Sequence, residues 1–121
     1  MAGYLKEGSG WRLGWNPDAP VFQGLLGGAD WAVELTADEF QDFCRLTRQL
    51  VETLAAIAPE LMAEERIACE LETDRLWVEI EGDPKSYELR FIVLTGRGVE
   101  GAWPPSAAIA VVGAIALATF A

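Results

Sequence analysis

Histidine does not occur in this 121-residue sequence, and cysteine occurs only twice. Without imidazole the chain lacks the commonest neutral-pH base, the usual catalytic triads and most zinc ligand sets. Cys44 and Cys69 are far apart and form no CxxC pair, so neither a zinc site nor a redox motif is signalled. Two unpaired cysteines fit a reducing, cytoplasmic compartment. Basic residues are also scarce: nine Lys and Arg stand against nineteen Asp and Glu, a formal net charge of −10. A field of that sign repels polyanions, and no run of Lys or Arg offers a local exception. Phosphate-backbone binding and anionic membrane surfaces are therefore disfavoured. GxxxxGK[ST] and GxSxG are both missing, and the glycine-rich stretch Gly24 to Gly28 leads into a strand, the wrong context for a phosphate loop. The first residues lack the apolar core of a signal peptide. No cofactor and no metal are expected.

What remains is a globular composition, 51% hydrophobic and 23% charged. A chain of this length fits one domain, 1–121, and buries a core without a disulfide or metal. Two halves, 10–61 and 66–121, each run strands first and a helix last. In the first, Trp11, Leu13 and Trp15 alternate with Arg12 and Gly14, which marks a half-buried strand. Asn16 to Pro20 is turn chemistry, Val21 to Leu26 reads as a second strand, and Gly27 to Asp30 turns into a third, Trp31 to Leu35. The glycines inside these strands predict bends or bulges and a curved sheet. Thr36-Ala37-Asp38-Glu39 reads as a capping box. Behind it Phe40, Phe43, Leu46, Leu50, Leu54, Ile57 and Leu61 recur every three or four residues, a helix that Pro59 ends or kinks.

The second half is a meander. Ile67, Cys69 and Leu71 alternate with Ala68, Glu70 and Glu72; Leu76, Val78 and Ile80 alternate with Trp77, Glu79 and Glu81. A two-residue Thr73-Asp74 turn would pair Leu71 with Leu76, Cys69 with Val78 and Ile67 with Ile80, all apolar. The other face would set Glu72 beside Arg75 and Glu70 beside Trp77. Gly82 to Ser86 turns the chain into a strand from Tyr87 to Leu94, and a short strand runs from Val99 to Trp103. From Ala107 to Ala121 no residue is charged. Pro105 and Ser106 can start a helix there. That stretch is about one turn short of the ~20 residues that span a bilayer, so it reads as a core or subunit-interface helix.

The candidate chemistry is thin. Glu70, Glu72, Glu79 and Glu81 would do acid–base work only if burial raised one of them, and their pattern gives a solvated strand face instead. Cys44 and Cys69 lie with apolar neighbours and read as packing. Five tryptophans remain: Trp11, Trp15 and Trp31 read as core, while Trp77 shares the polar side with Glu79 and is the expected exposed aromatic. Arg12, Arg75 and Arg90 can flank such a surface, although three arginines do not make a basic groove; Trp77, Arg75, Arg90 and Glu79 form the candidate interaction surface.

Lys6 to Trp15, Gly24 to Ala32, Glu34-Leu35-Thr36, Glu39-Phe40, Asp42 to Leu46 and Glu100 to Pro104 together resemble the cyanobacterial domain-of-unknown-function family 1818. The resemblance covers nearly the whole chain, although the apolar tail is less polar than the family's final helix. It implies a fold similar to Whirly-type single-stranded-DNA-binding regulators, with two sheet-then-helix units packed as a pseudo-dimer. No activity and no functional residue come with it. The fold class expected is thus α+β, with curved antiparallel sheets and two helices.

The leading functional expectation is a non-enzymatic protein-interaction module with an unidentified protein partner, able to form a homodimer through its tail helix. Single-stranded nucleic-acid binding is the alternative: tryptophans favour it and the charge opposes it. A carboxylate-based enzyme comes last.

Overall fold

The computed structural model describes residues 3–60 and 65–117. It is α+β, with two four-stranded antiparallel sheets and two helices. The chain opens with a strand that periodicity does not reveal, β1 (Tyr4–Gly8), paired with β2 (Trp11–Trp15). In β1 the outward residues are the exposed Leu5 and Glu7, while Tyr4 and Lys6 point inward, so an apolar side chain faces out and a lysine faces in. Gly10, at φ 78°, reverses the chain between the two strands. β3 (Gly24–Gly28) and β4 (Ala32–Leu35) complete the first sheet in the order β1-β2-β3-β4.

The second expected strand is therefore displaced toward the C-terminus, and Gly27 and Gly28 belong to it rather than to a turn. Asn16 to Gln23 closes instead as a loop. The Asn16 amide donates to the Gln23 carbonyl, Gln23 Nε2 donates to Ala19, and Gln23 Oε1 accepts from the Ala37 amide at 2.9 Å. Those bonds leave Val21 outside the ladder and exposed.

The expected bulges are also absent. Gly14, Gly24 and Gly27 sit in unbroken register, and none has positive φ. Their role is room. A Cβ at Gly24 would lie 2.5 Å from the Phe40 ring, and one at Gly14 would press on Leu25. Phe40 uses the space to stack on Trp15, centroids 5.5 Å apart.

Helix α1 (Ala37–Ile57) starts as expected. Thr36 Oγ1 accepts from the Glu39 amide, and Glu39 Oε1 accepts from the Thr36 amide at 2.9 Å. Phe40, Phe43, Leu46, Leu50 and Leu54 are buried. A single tighter turn at Ala58–Glu60 contains Pro59; Leu61 lies outside the described residues.

The second sheet holds β5 (Ile67–Glu72), β6 (Leu76–Asp83), β7 (Ser86–Val93) and β8 (Glu100–Trp103) in sequence order. Its first hairpin departs from the expected register. Leu71 pairs with Val78, Cys69 with Ile80 and Ile67 with Gly82; Glu72 faces Trp77, and Glu70 faces Glu79. Thr73 is the cause. Its Oγ1 accepts from the Arg75 and Leu76 amides while its own amide donates to the Leu76 carbonyl, which centres the turn on Asp74 and Arg75 rather than on Thr73 and Asp74. The slip is two residues, so every side chain keeps its face and only its partners change.

Helix α2 (Pro105–Leu117) follows β8. The helices bind the halves together. α1 follows the first sheet in sequence yet packs chiefly on β5 and β6 of the second, while α2 lies against β2 and β7. Trp31, Phe91, Trp103 and Phe43 form an aromatic seam with centroids 5.2–5.8 Å apart. Trp103 Nε1 donates to the Gly27 carbonyl at 2.8 Å across that seam. A second clasp is polar: buried Glu39 also accepts from the Thr95 hydroxyl and from Arg97, whose guanidinium covers Phe22 at 4.9 Å. Buried residues from both halves make one hydrophobic core.

Candidate interaction surface

Strand parity decides what the second sheet shows to water. Leu76, Val78 and Ile80 of β6, with Tyr87, Leu89, Phe91 and Val93 of β7, are buried beneath the helices. The alternate residues form the outer face in three cross-strand rows. Glu72, Trp77, Ile92 and Glu100 make one; Glu70, Glu79, Arg90 and Ala102 the next; Ala68, Glu81 and Glu88 the third. Asp83 and Ser86 close the β6–β7 end.

Three of the four expected surface residues meet here. Arg90 and Glu79 are direct partners across β6 and β7, their charged groups 3.7 Å apart. The Arg90 guanidinium also covers the Trp77 ring at 5.5 Å. Trp77 is on the expected side but half-buried, because that guanidinium and its strand neighbours cover part of the ring. Trp11 and Trp31 are likewise half-buried, whereas Trp15 and Trp103 are buried.

Arg75 does not join them. It belongs to the β5–β6 turn and reaches α1, where Nη1 lies 3.3 Å from Asp42 and Nη2 3.7 Å from Asp38. Asp42 is the hub of that corner and also accepts from the Thr73 hydroxyl at 2.8 Å and from Arg45 at 3.3 Å. Burial alone would raise its carboxyl, but the hydrogen bonds from Thr73, Arg75 and Arg45 outweigh burial and hold it below the ordinary value. The corner fastens a turn to a helix.

The electrostatics of the outer face follow from its rows. Glu70, Glu72, Glu79, Glu81, Asp83, Glu88 and Glu100 surround Arg90, and Glu79 already offsets that one cation. An electropositive groove is not present on this face, and a phosphate chain laid across it would meet carboxylates.

The cysteines play other parts. Cys44 is fully buried in α1, and burial pushes its thiol up to about 12, with Arg48 only partly opposing, so it is protonated at neutral pH. Cys69 is half-buried under α1 on β5.

The outer face of the first sheet carries a feature that sequence reasoning did not find. Leu5, Gly14, Leu25 and Glu34 lie in one row across its four strands. With Phe22 and Ala19 from the loop they line an open cleft of about 310 Å³. The out-of-phase Leu5 was the available signal, but the row is visible only once β1 is placed and the register known.

A family model described as Domain of unknown function (DUF1818) matches residues 6–118. A solved structure of a protein of unknown function, assigned to the DUF155 family, from Prochlorococcus sp. NATL2A is 30% identical. It superimposes with a TM-score of 0.88, covering 94% of this chain and 97% of that one. No curated protein matches the sequence. No described helix is long and apolar enough to cross a membrane.

Proposed function

We propose, for a chain that belongs to the family described as Domain of unknown function (DUF1818), a non-enzymatic role as a cytoplasmic protein-interaction module. Its outer second sheet would receive a lysine- and arginine-rich segment of a partner protein. The observation that carries this reading is the open acidic face with Trp77, Glu79 and Arg90 at its centre. Carboxylates set at strand spacing would pair with a basic extended segment, and Trp77 would supply apolar area and a cation–π surface. Two further observations support a role without catalysis. The carboxylates are spread over a solvated face rather than enclosed in a cavity, and the Cys44 thiol is held in its unreactive form.

The doubled sheet-then-helix plan supports the Whirly-like architecture that the family resemblance implies, and with it the alternative of single-stranded nucleic-acid binding. The sign of the sheet face favours the protein partner.

Fluorescence anisotropy separates the two. A labelled arginine- and lysine-rich peptide and a labelled single-stranded oligonucleotide are titrated with the protein at low and moderate salt. The peptide is expected to bind, to weaken with salt, and to lose affinity in the double variant Trp77→Ala, Glu79→Lys but not in Asp18→Lys, a control acid in the Asn16–Gln23 loop. Equal losses in both variants would reduce the effect to net charge and end the assignment to this face. Oligonucleotide binding that falls steeply with salt would put the alternative in its place.

A further inference from the structure

The two helices differ in a way the fold does not require. α1 is amphipathic: its leucines and phenylalanines are buried, and Asp38, Gln41, Arg45, Arg48, Gln49 and Glu52 face water. α2 carries no charged residue, and Ser106 in its first turn is its one polar side chain. Ala107, Ala108, Val111, Ala114 and Ile115 are buried, but the opposite side presents Ile109, Gly113, Ala116 and Leu117, with Ile109 43% and Leu117 79% exposed. A helix that is hydrophobic on every side normally has partners on every side. Here one side has none among the described residues. Gly113 stands in the middle of that side, and a Cβ there would meet nothing within 4 Å, so a second helix can come close.

Charge selects the occupant. The chain carries a net charge of −10, yet residues 101–121 contain no ionisable side chain. Two copies can approach there without bringing carboxylates together, and a symmetric interface must be self-complementary, which an uncharged apolar strip is and an acidic sheet is not. A basic partner, by contrast, finds nothing on α2 to pair with. We infer that the exposed side of α2 is the contact between two copies of this chain, α2 packed on α2 about a two-fold axis near Gly113. This inference is independent of the acidic-sheet reading.

The size of the contact sets its strength. Thirteen residues make a strip roughly 20 Å long and 10 Å wide. That is well below the ~800 Å² per partner of a standard interface. The dimer is therefore weak and reversible, with dissociation in the high-micromolar to millimolar range.

Sedimentation equilibrium of the full chain from about 20 µM to about 1 mM tests it. The average mass is expected to rise from 13.2 kDa toward twice that value. Added salt should tighten the dimer, since it screens repulsion between two acidic copies while leaving apolar contact intact; binding of a basic peptide to the second sheet responds to salt in the opposite sense. Gly113→Arg and Ile109→Glu place charge at the contact on a side that faces water, so each should keep the wild-type circular dichroism while weakening the dimer at least tenfold. A mass fixed at 13.2 kDa throughout, a dimer indifferent to both variants, or a dimer loosened by salt would each overturn the inference.

Discussion

Trp103→Phe is the sharpest test of how the halves are joined. Trp103 is 1% exposed, lies within 5.2–5.7 Å of Trp31, Phe91 and Phe43, and donates its indole N–H to the Gly27 carbonyl. Phenylalanine keeps an aromatic ring but removes that donor and part of the filled volume. A buried carbonyl left without its partner costs about 1–3 kcal/mol. The lost packing adds about 1–2 kcal/mol, a fraction of the 3–5 kcal/mol that full truncation of a large aromatic costs. The sum, about 2–5 kcal/mol, is a large share of the ~5–15 kcal/mol by which domains are stable. With a urea dependence of roughly 1.5 kcal/mol per molar, the unfolding midpoint should fall by roughly 1–3 M. Trp77→Phe is the comparison, since Trp77 lies on the outer face, where the Arg90 guanidinium covers its ring; that variant should move the midpoint by less than about 0.5 M. Equal shifts in the two variants would refute the view that the seam, and not tryptophan content, holds the sheets together.

Thr36→Ala removes the acceptor of the Glu39 amide and should cost about 1 kcal/mol in urea unfolding, whereas Thr53→Ala, at an exposed hydroxyl, should cost far less. Asp42 has its pKa depressed below 3.8 in the folded chain, so its contribution is complete above that value and is lost as pH falls through the lower folded value. Asp42→Asn should accordingly start less stable at neutral pH, and lose less than the wild type between about pH 4 and pH 2, as read from urea midpoints. A thiol reagent at mildly alkaline pH should label Cys69 in the native protein and Cys44 only on unfolding, because Cys44 is fully buried and its thiol is raised to about 12; two fast native thiols would contradict that packing.

Much of this architecture is legible because period and face survive local error. The 3.6-residue stripe from Phe40 to Leu54 and the capping residues Thr36 and Glu39 locate α1 directly. The alternation in β5 and β6 assigns each side chain to its face even though the register slips, since a slip of two leaves parity untouched. What the pattern misses depends on particular side chains. Thr73 shifts a turn by one residue through three local bonds, and Gln23 pulls a loop out of the ladder; neither act has a periodic signature. Strand glycines admit more than one reading until the Phe40 ring that needs Gly24 is in place. Alternation puts Trp77, Glu79 and Arg90 on one sheet face, where the structure also has them, while Arg75 leaves that face because its position in the turn lets it reach across to Asp42. The Leu5–Gly14–Leu25 row required a strand whose apolar residue faces outward.

The crossing of α1 onto β5 and β6 has a consequence for assembly of the chain itself. Neither half owns the whole cover for its hydrophobic surface: residues 3–60 alone would leave the leucines of α1 without β6, and residues 65–117 alone would leave β5 and β6 without α1. Folding must therefore wait until both halves have emerged, and the two cannot melt in separate steps. Split at the connection between Glu60 and Arg66, the fragments should each be largely unstructured and regain helix and sheet on mixing, behaving as obligate complements.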